Sequence, residues 1–187
     1  MRRRRLLAQL EHYRPADALE ARHHAAIVDL VAGAEDAFAR THFAPGHITA
    51  SCFIVDGDRL LLHHHRRLNR WLQMGGHVEA GEDPASAALR EGAEESGLND
   101  LAFAVDGIFD LDVHVIPAAK GEPEHRHFDV RYVAGTAAPH AVAIDREESN
   151  ELAWVPLERA GTFMIDRASL MTEAASLRVS QKIRSRL

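Results

Sequence analysis

The sequence predicts a mixed α/β (α+β) fold in which one sheet of mixed strand direction carries helices on both faces. Three observations predict it. Apolar residues recur at helical spacing through the first 40 residues, alternating strand-like stretches begin at His47, and helical and strand-like segments then follow one another at irregular intervals rather than as a regular βαβ repeat. The length, 187 residues, suits one domain with a real core and an appendage.

The elements follow in order. Leu6, Leu7 and Leu10 share the face of a first helix, which Arg14-Pro15 interrupts. Asp17 caps a second helix whose stripe is Leu19, Ala26, Ile27, Leu30 and Val31, ending near Gly33. A short helix is expected from Ala34 to Ala39, and Thr41 to Gly46, with Pro45-Gly46, forms a boundary. Ile48–Val55 and Arg59–His63 read as two strands of a hairpin closed by Asp56-Gly57-Asp58. Asp83-Pro84 supplies an N-cap and a first-position proline for a helix that stops at Gly97. Two strands, Phe103–Val115 and His125–Ala134, are joined by a loop holding Pro117, Gly121 and Pro123. A last strand, Glu151–Val155, precedes Pro156, and Asp166 is expected to cap a C-terminal helix.

Composition bounds the function. Hydrophobic residues make up 46% and charged residues 27%, ordinary for a globular protein. A net charge of -6 argues against a general nucleic-acid binder. It leaves an anionic substrate open, because a bound cation inverts the local field. The single cysteine, Cys52, excludes a disulfide within the chain and suits a reducing cytosol, so a cytoplasmic location is expected. No apolar run approaches membrane-spanning length, and no membrane partner is expected. The opening MRRRRLLAQLEHY is basic like a signal peptide, but Gln9, Glu11 and His12 break its apolar region; it reads as a solvated helix start.

The stretch GGHVEAGEDPASAALREGAEESGL, Gly75 to Leu98, concentrates like charge. On a helix, Glu91, Glu94 and Glu95 fall within an arc of about 100°, since positions i, i+3 and i+4 are neighbours. Ala85, Leu89, Gly92 and Ala93 fall opposite, small enough to pack on a sheet. Like charges at this spacing repel, and a divalent cation reverses the sign; convergent hard oxygens suit Mg²⁺ or Mn²⁺. For three glutamates alone, a solvated acidic face is the plain alternative, because Glu is a good helix former.

The full spacing is more specific. Gly76, five residues, Glu82, seven residues, Arg90-Glu91, two residues, Glu94-Glu95, one residue and Gly97-Leu98 resembles the Nudix box of the Nudix hydrolase family. The box covers 23 residues; a looser resemblance, including Trp154 to Leu157, runs from about His47 to Ala160 and leaves the first 40 residues outside. Two positions depart: Gly92 stands where a large aliphatic is usual, and Met74 where many relatives have proline. The resemblance implies a Nudix-like α/β/α sandwich over residues 45–187 with an N-terminal helical extension over 1–44. It implies hydrolysis of a diphosphate linkage, in a nucleoside diphosphate derivative or related organic diphosphate, with Mg²⁺ or Mn²⁺. It further implies Glu91 and Glu95 as main metal ligands, Glu94 as a second ligand or the holder of a metal-bound water, and a ligating carbonyl at Gly75. Arg90 would orient Glu91, and Glu82 would support the junction of loop and helix. General-base candidates are Glu122, Glu124, Glu147 and Glu148. A small-molecule diphosphate is the expected partner, and a homodimer the expected assembly. The substrate stays open, because the marks of well-known subgroups are missing. The competing readings are a catalytically silent ligand-sensing module and a structural domain with a solvated acidic helix.

Alternation along the later strands adds a second set. Asp110, Asp112 and His114 share one face, as do His125, His127, Asp129 and Arg131 on the next strand. This polar face is expected to line the substrate cleft, with Arg131, His127, Asp129 and His114 meeting substrate and Arg131 or the histidines touching phosphate. His63-His64-His65 reads as a strand end entering a basic loop, without the ligand pattern of a zinc site.

Overall fold

A computed structural model describes residues 1–119, 121–164 and 173–187. Two helices open the chain, α1 (Arg2–His12) and α2 (Ala18–Gly33). Four strands follow: β1 (Gly46–Asp56), β2 (Arg59–His65), β3 (Arg70–Leu72) and β4 (Met74–His77). Next come α3 (Pro84–Ser96), β5 (Ala102–Phe103), β6 (Asp110–Ile116), β7 (His125–Gly135), β8 (Ser149–Pro156), α4 (Leu157–Met164) and α5 (Glu173–Arg186).

β1 is the axis of the eight-stranded sheet. One edge pairs in parallel with β7 over ten registered positions, from Gly46↔Arg126 to Val55↔Gly135. The other edge is shared between two antiparallel partners: β4 takes Thr49 to Cys52, and β2 takes Ile54 to Asp56. β6 pairs antiparallel with the outer edge of β7, and β8 with that of β2. Alternation then sorts the side chains. Ile48, Ala50, Cys52 and Ile54 of β1 join Phe128, Val130 and Tyr132 of β7 in a core with Leu6, Leu10, Ile27, Val31, Ala87 and Ala88 from α1, α2 and α3. Phe53, Val55 and Val133 face the opposite way and pack with Leu157, Ala160, Val179 and Ile183 of α4 and α5. Helices therefore cover both faces, as the pattern predicts.

The caps act as their residues require. Asp17 accepts the Glu20 amide at 2.8 Å, and Asp83 accepts the Ser86 amide at 3.0 Å. Gly97 ends α3 in the left-handed region at φ 74°. Several expectations need correction. Residues Ala34 to Ala39 form turns, not a helix. The expected strand Phe103–Val115 is two strands, β5 and β6, separated by bends. Gly75-Gly76, for which no strand is expected, lies within β4, held by its ladder to β1. The helix α4 and the short strand β3 carry no pattern that the sequence reading used. The cap expected at Asp166 lies outside the described residues. Among the described residues no helix is long and apolar enough to cross a membrane.

Candidate active site

The site is built on α3 where it crosses β4. Ala87, Ala88 and Gly92 turn inward. Gly92 is a close fit: a Cβ there would stand 3.1 Å from Leu101 Cδ1 and 3.4 Å from the Cys52 side chain. That leaves little room for the large aliphatic expected at the position. The adjoining side of the helix presents the carboxylates, and burial separates them. Glu95 is 5% exposed, and its Oε2 accepts the Gly75 N–H at 2.8 Å. The Glu91 carboxylate lies against Gly76, where any Cβ would fall 2.5 Å from its Oε1. Glu94 stands out in solvent, its side chain 59% exposed. So the group at Gly75 that touches the cluster is its amide, which donates to Glu95.

Arg90 ties the helix to the loop before it. Its Nε and one terminal nitrogen form a fork on Glu82, both at 3.1 Å; that nitrogen also donates to the His77 carbonyl at 2.9 Å. Its other terminal nitrogen donates to Glu91 at 2.9 Å and Glu94 at 3.0 Å. Glu82 in turn accepts the Glu79 amide at 3.0 Å. The guanidinium is thus committed in full, while Glu95 receives a backbone amide. Burial pushes the Glu95 carboxyl up to about 8; the Gly75 N–H opposes this, and the charges of Glu91, Glu148 and Glu94 add to it. Burial also raises Glu91, against the pull of Arg90.

Of the base candidates, Glu148 is the one whose charge is felt at both Glu91 and Glu95. It immediately precedes β8, and its carbonyl accepts the Arg66 amide at 2.8 Å. Glu148, Glu147 and Glu124 are all exposed, and Glu122 pairs with Arg40 at 3.2 Å.

The polar faces of β6 and β7 do coincide: Asp110 is registered with Arg131, Asp112 with Asp129 and His114 with His127. One expectation there is corrected. Arg131 is 1% exposed, with its guanidinium spent on Asp129 at 2.7 Å, Asp112 at 2.8 Å and Asp110 at 3.2 Å. An anion would have to displace three buried carboxylates to reach it. Asp129 is equally occupied, accepting from Thr49 at 3.0 Å and Ser51 at 2.8 Å as well as from Arg131. The cover comes from remote segments. Arg178 of α5 reaches Asp110 at 3.2 Å, Lys182 reaches Glu20 of α2 at 2.8 Å, and His23 lies 3.4 Å from Asp112. His127 and His114 lie in a histidine group with His47, His77 and His125. His47 and His77 escaped the sequence reading, although alternation along β1 places His47 on the face of Thr49 and Ser51.

Comparisons with known proteins show the family and the fold. Residues 45–174 match the NUDIX domain family. A "Probable DHNTP pyrophosphohydrolase" of Lactococcus lactis subsp. cremoris (strain MG1363) is 33% identical over 88 residues, covering 46% of this chain and 52% of that protein. The chain therefore spans about half the length of the curated relative it matches. A solved hydrolase of the NUDIX family from Clostridium perfringens superposes with a TM-score of 0.52 at 28% identity, over 74% of this chain and 97% of that one. A C. elegans Ap4A hydrolase in a binary complex superposes with a TM-score of 0.56 at 23% identity, over 74% and 95%, a likeness of fold.

Proposed function

The chain belongs to the Nudix family, and from that premise we propose that it hydrolyses a diphosphate linkage in a small organic di- or triphosphate, with Mg²⁺ or Mn²⁺ held by Glu91, Glu94 and Glu95. The observation that carries the reading is the carboxylate pair of half-buried Glu91 and buried Glu95, pressed against Gly75-Gly76 with one arginine already saturated beside it. Such a set fits a hard divalent ion: its donors are all oxygen, and its anionic forms are held under strain by burial and mutual repulsion. When bound, the ion neutralises diphosphate charge and activates a water.

The protein's own work is positioning. Arg90 sets the Glu91 carboxylate through a charge-assisted bond and locks the loop at Glu82 and His77. Gly75 holds Glu95 in place from β4. We assign Glu148 as the residue that accepts the proton of the attacking water, because its charge is felt at both Glu91 and Glu95. A cytoplasmic location and a homodimer remain parts of this reading.

The test is release of phosphate, pyrophosphate or a monophosphate product from a panel containing dihydroneopterin triphosphate, Ap4A, nucleoside triphosphates and nucleotide sugars, with and without Mg²⁺. Wild type is expected to turn over at least one member only with the ion. Glu95→Gln should lower kcat by about 10²–10⁴-fold, and Glu148→Gln by about 10²-fold. Full activity in Glu95→Gln would overturn the assignment.

A further inference from the structure

Beside the carboxylate helix, four strands bring five histidines to one surface: His47 on β1, His77 on β4, His114 on β6, and His125 and His127 on β7. The registers bring this about, since His127 is paired with His47 on one side and His114 on the other. The His47 and His127 rings lie 4.9 Å apart, His47 and His125 5.1 Å, and His125 and His127 5.3 Å. A ring nitrogen from each of these three lies within 4.8 Å of the other two.

The tautomers are set by neighbours that can only accept. His47 Nδ1 donates to the His42 carbonyl at 3.3 Å, and His125 Nδ1 donates to the Pro123 carbonyl at 2.8 Å. Both rings therefore keep their lone pair at Nε2, and a backbone carbonyl on Nδ1 is the usual outer support of a metal-binding histidine. His47 is 1% exposed, and its Nε2 is buried without a hydrogen-bond partner. A buried acceptor in that state calls for an explanation. Phe43 closes the group, its ring 5.0 Å from that of His125. Nothing in the trio is a carboxylate, so hard cations that need oxygen are disfavoured, while imidazole nitrogens suit Zn²⁺, Co²⁺, Ni²⁺ and Cu²⁺. Burial, reinforced by neighbouring histidines, lowers both His47 and His127.

We propose that His47, His125 and His127 form a binding site for a transition-metal cation of the Zn²⁺ class, distinct from the oxygen-lined site on α3 and leaving one coordination position for water. Ligand bonds of about 2.0–2.1 Å require only a small inward movement of the three rings.

The test uses the full chain, stripped with a chelator, then titrated with Zn²⁺ or Mg²⁺ by calorimetry and by dialysis with elemental analysis. Wild type should take up one equivalent of Zn²⁺ at this site and melt at a higher temperature with it. His47→Gln and His125→Gln should each weaken that uptake at least 10-fold and lose the thermal shift. Glu95→Gln and His64→Ala should retain both. Co²⁺ should give the visible absorption of a nitrogen-bound tetrahedral ion in wild type, Glu95→Gln and His64→Ala, and not in the His47 and His125 variants. If a histidine variant melts far below wild type, His127→Asn replaces it and the Co²⁺ spectrum decides. Absence of Zn²⁺ uptake in wild type, or uptake that survives in both histidine variants, overturns the proposal. So does uptake abolished by Glu95→Gln alone. None of these outcomes depends on hydrolysis, so the site can fail while the diphosphohydrolase reading stands.

Discussion

At the scale of single residues, the site depends on missing atoms as much as on charged ones. Gly76 leaves the space that the Glu91 carboxylate fills, and a Cβ there would come 2.5 Å from it. The obstructed atoms are the end of a flexible side chain, so Gly76→Ala should turn Glu91 aside rather than unfold the strand. Hydrolysis should fall at least 10-fold, while stability measured by thermal melting changes by less than about 1 kcal/mol. Arg131 presents the opposite case. Its alternation with Asp129 is plain in the sequence, yet its role is decided by the three aspartates around it. Arg131→Met should leave Asp129 and Asp112 buried without the guanidinium between them, at a cost of about 3–5 kcal/mol. A urea midpoint equal to that of wild type would contradict this.

At the scale of elements, α3 is legible because its signals are local. Asp83, Pro84 and Gly97 mark its ends, and the glutamate spacing marks its functional side. Its inner side answers to the sheet. Gly92 faces Cys52 of β1 and Leu101, so the position has little room. Gly92→Ala should stabilise the helix by up to about 1 kcal/mol, because Leu101 needs to yield only a few tenths of an ångström. Gly92→Leu should overpack the contact and cost about 1–3 kcal/mol, read from denaturant midpoints. β4 is the converse. Its Gly75-Gly76 centre has no side chains to form a pattern, and its strand character comes from pairing with Thr49 to Cys52.

At the scale of the whole molecule, both termini converge on the sheet. Leu6, Leu10 and Ile27 share a core with Ile48 and Phe128, so the N-terminal helices complete that core. Lys182 of α5 meets Glu20 of α2 at 2.8 Å, and Arg178 meets Asp110. Burial of imidazoles across the sheet weakens the fold in acid and, with several rings involved, outweighs the opposite contribution of the raised Glu95 carboxyl. Burial, with His65 and His64 nearby, lowers His63 to about 4, and burial with the His47 charge lowers His77 to about 4. An unfolded histidine titrates near 6.5, so between these values the unfolded chain binds more protons than the folded one. Their stabilisation is complete above about pH 6.5 and falls as the pH drops toward 4, by on the order of 3 kcal/mol for His63. Urea midpoints should therefore decline steadily from pH 7 to pH 4.5; a flat profile would contradict the burial of these rings.

Taken alone, the amino-acid sequence determined the features that depend on near neighbours along the chain. These are the capped helices α2 and α3, the hairpin of β1 and β2, the two-faced alternation of β6 and β7, and the glutamate spacing that marks the box. Only the tertiary structure decided which polar face would meet water. α2 and α5 cover Asp110, Asp112 and Arg131, whereas β1, β4 and β7 gather His47, His77, His125 and His127 from distant positions. Periodicity within a strand reports which side chains point together; what lies opposite them is set by segments tens of residues away, brought there by burial of the whole core.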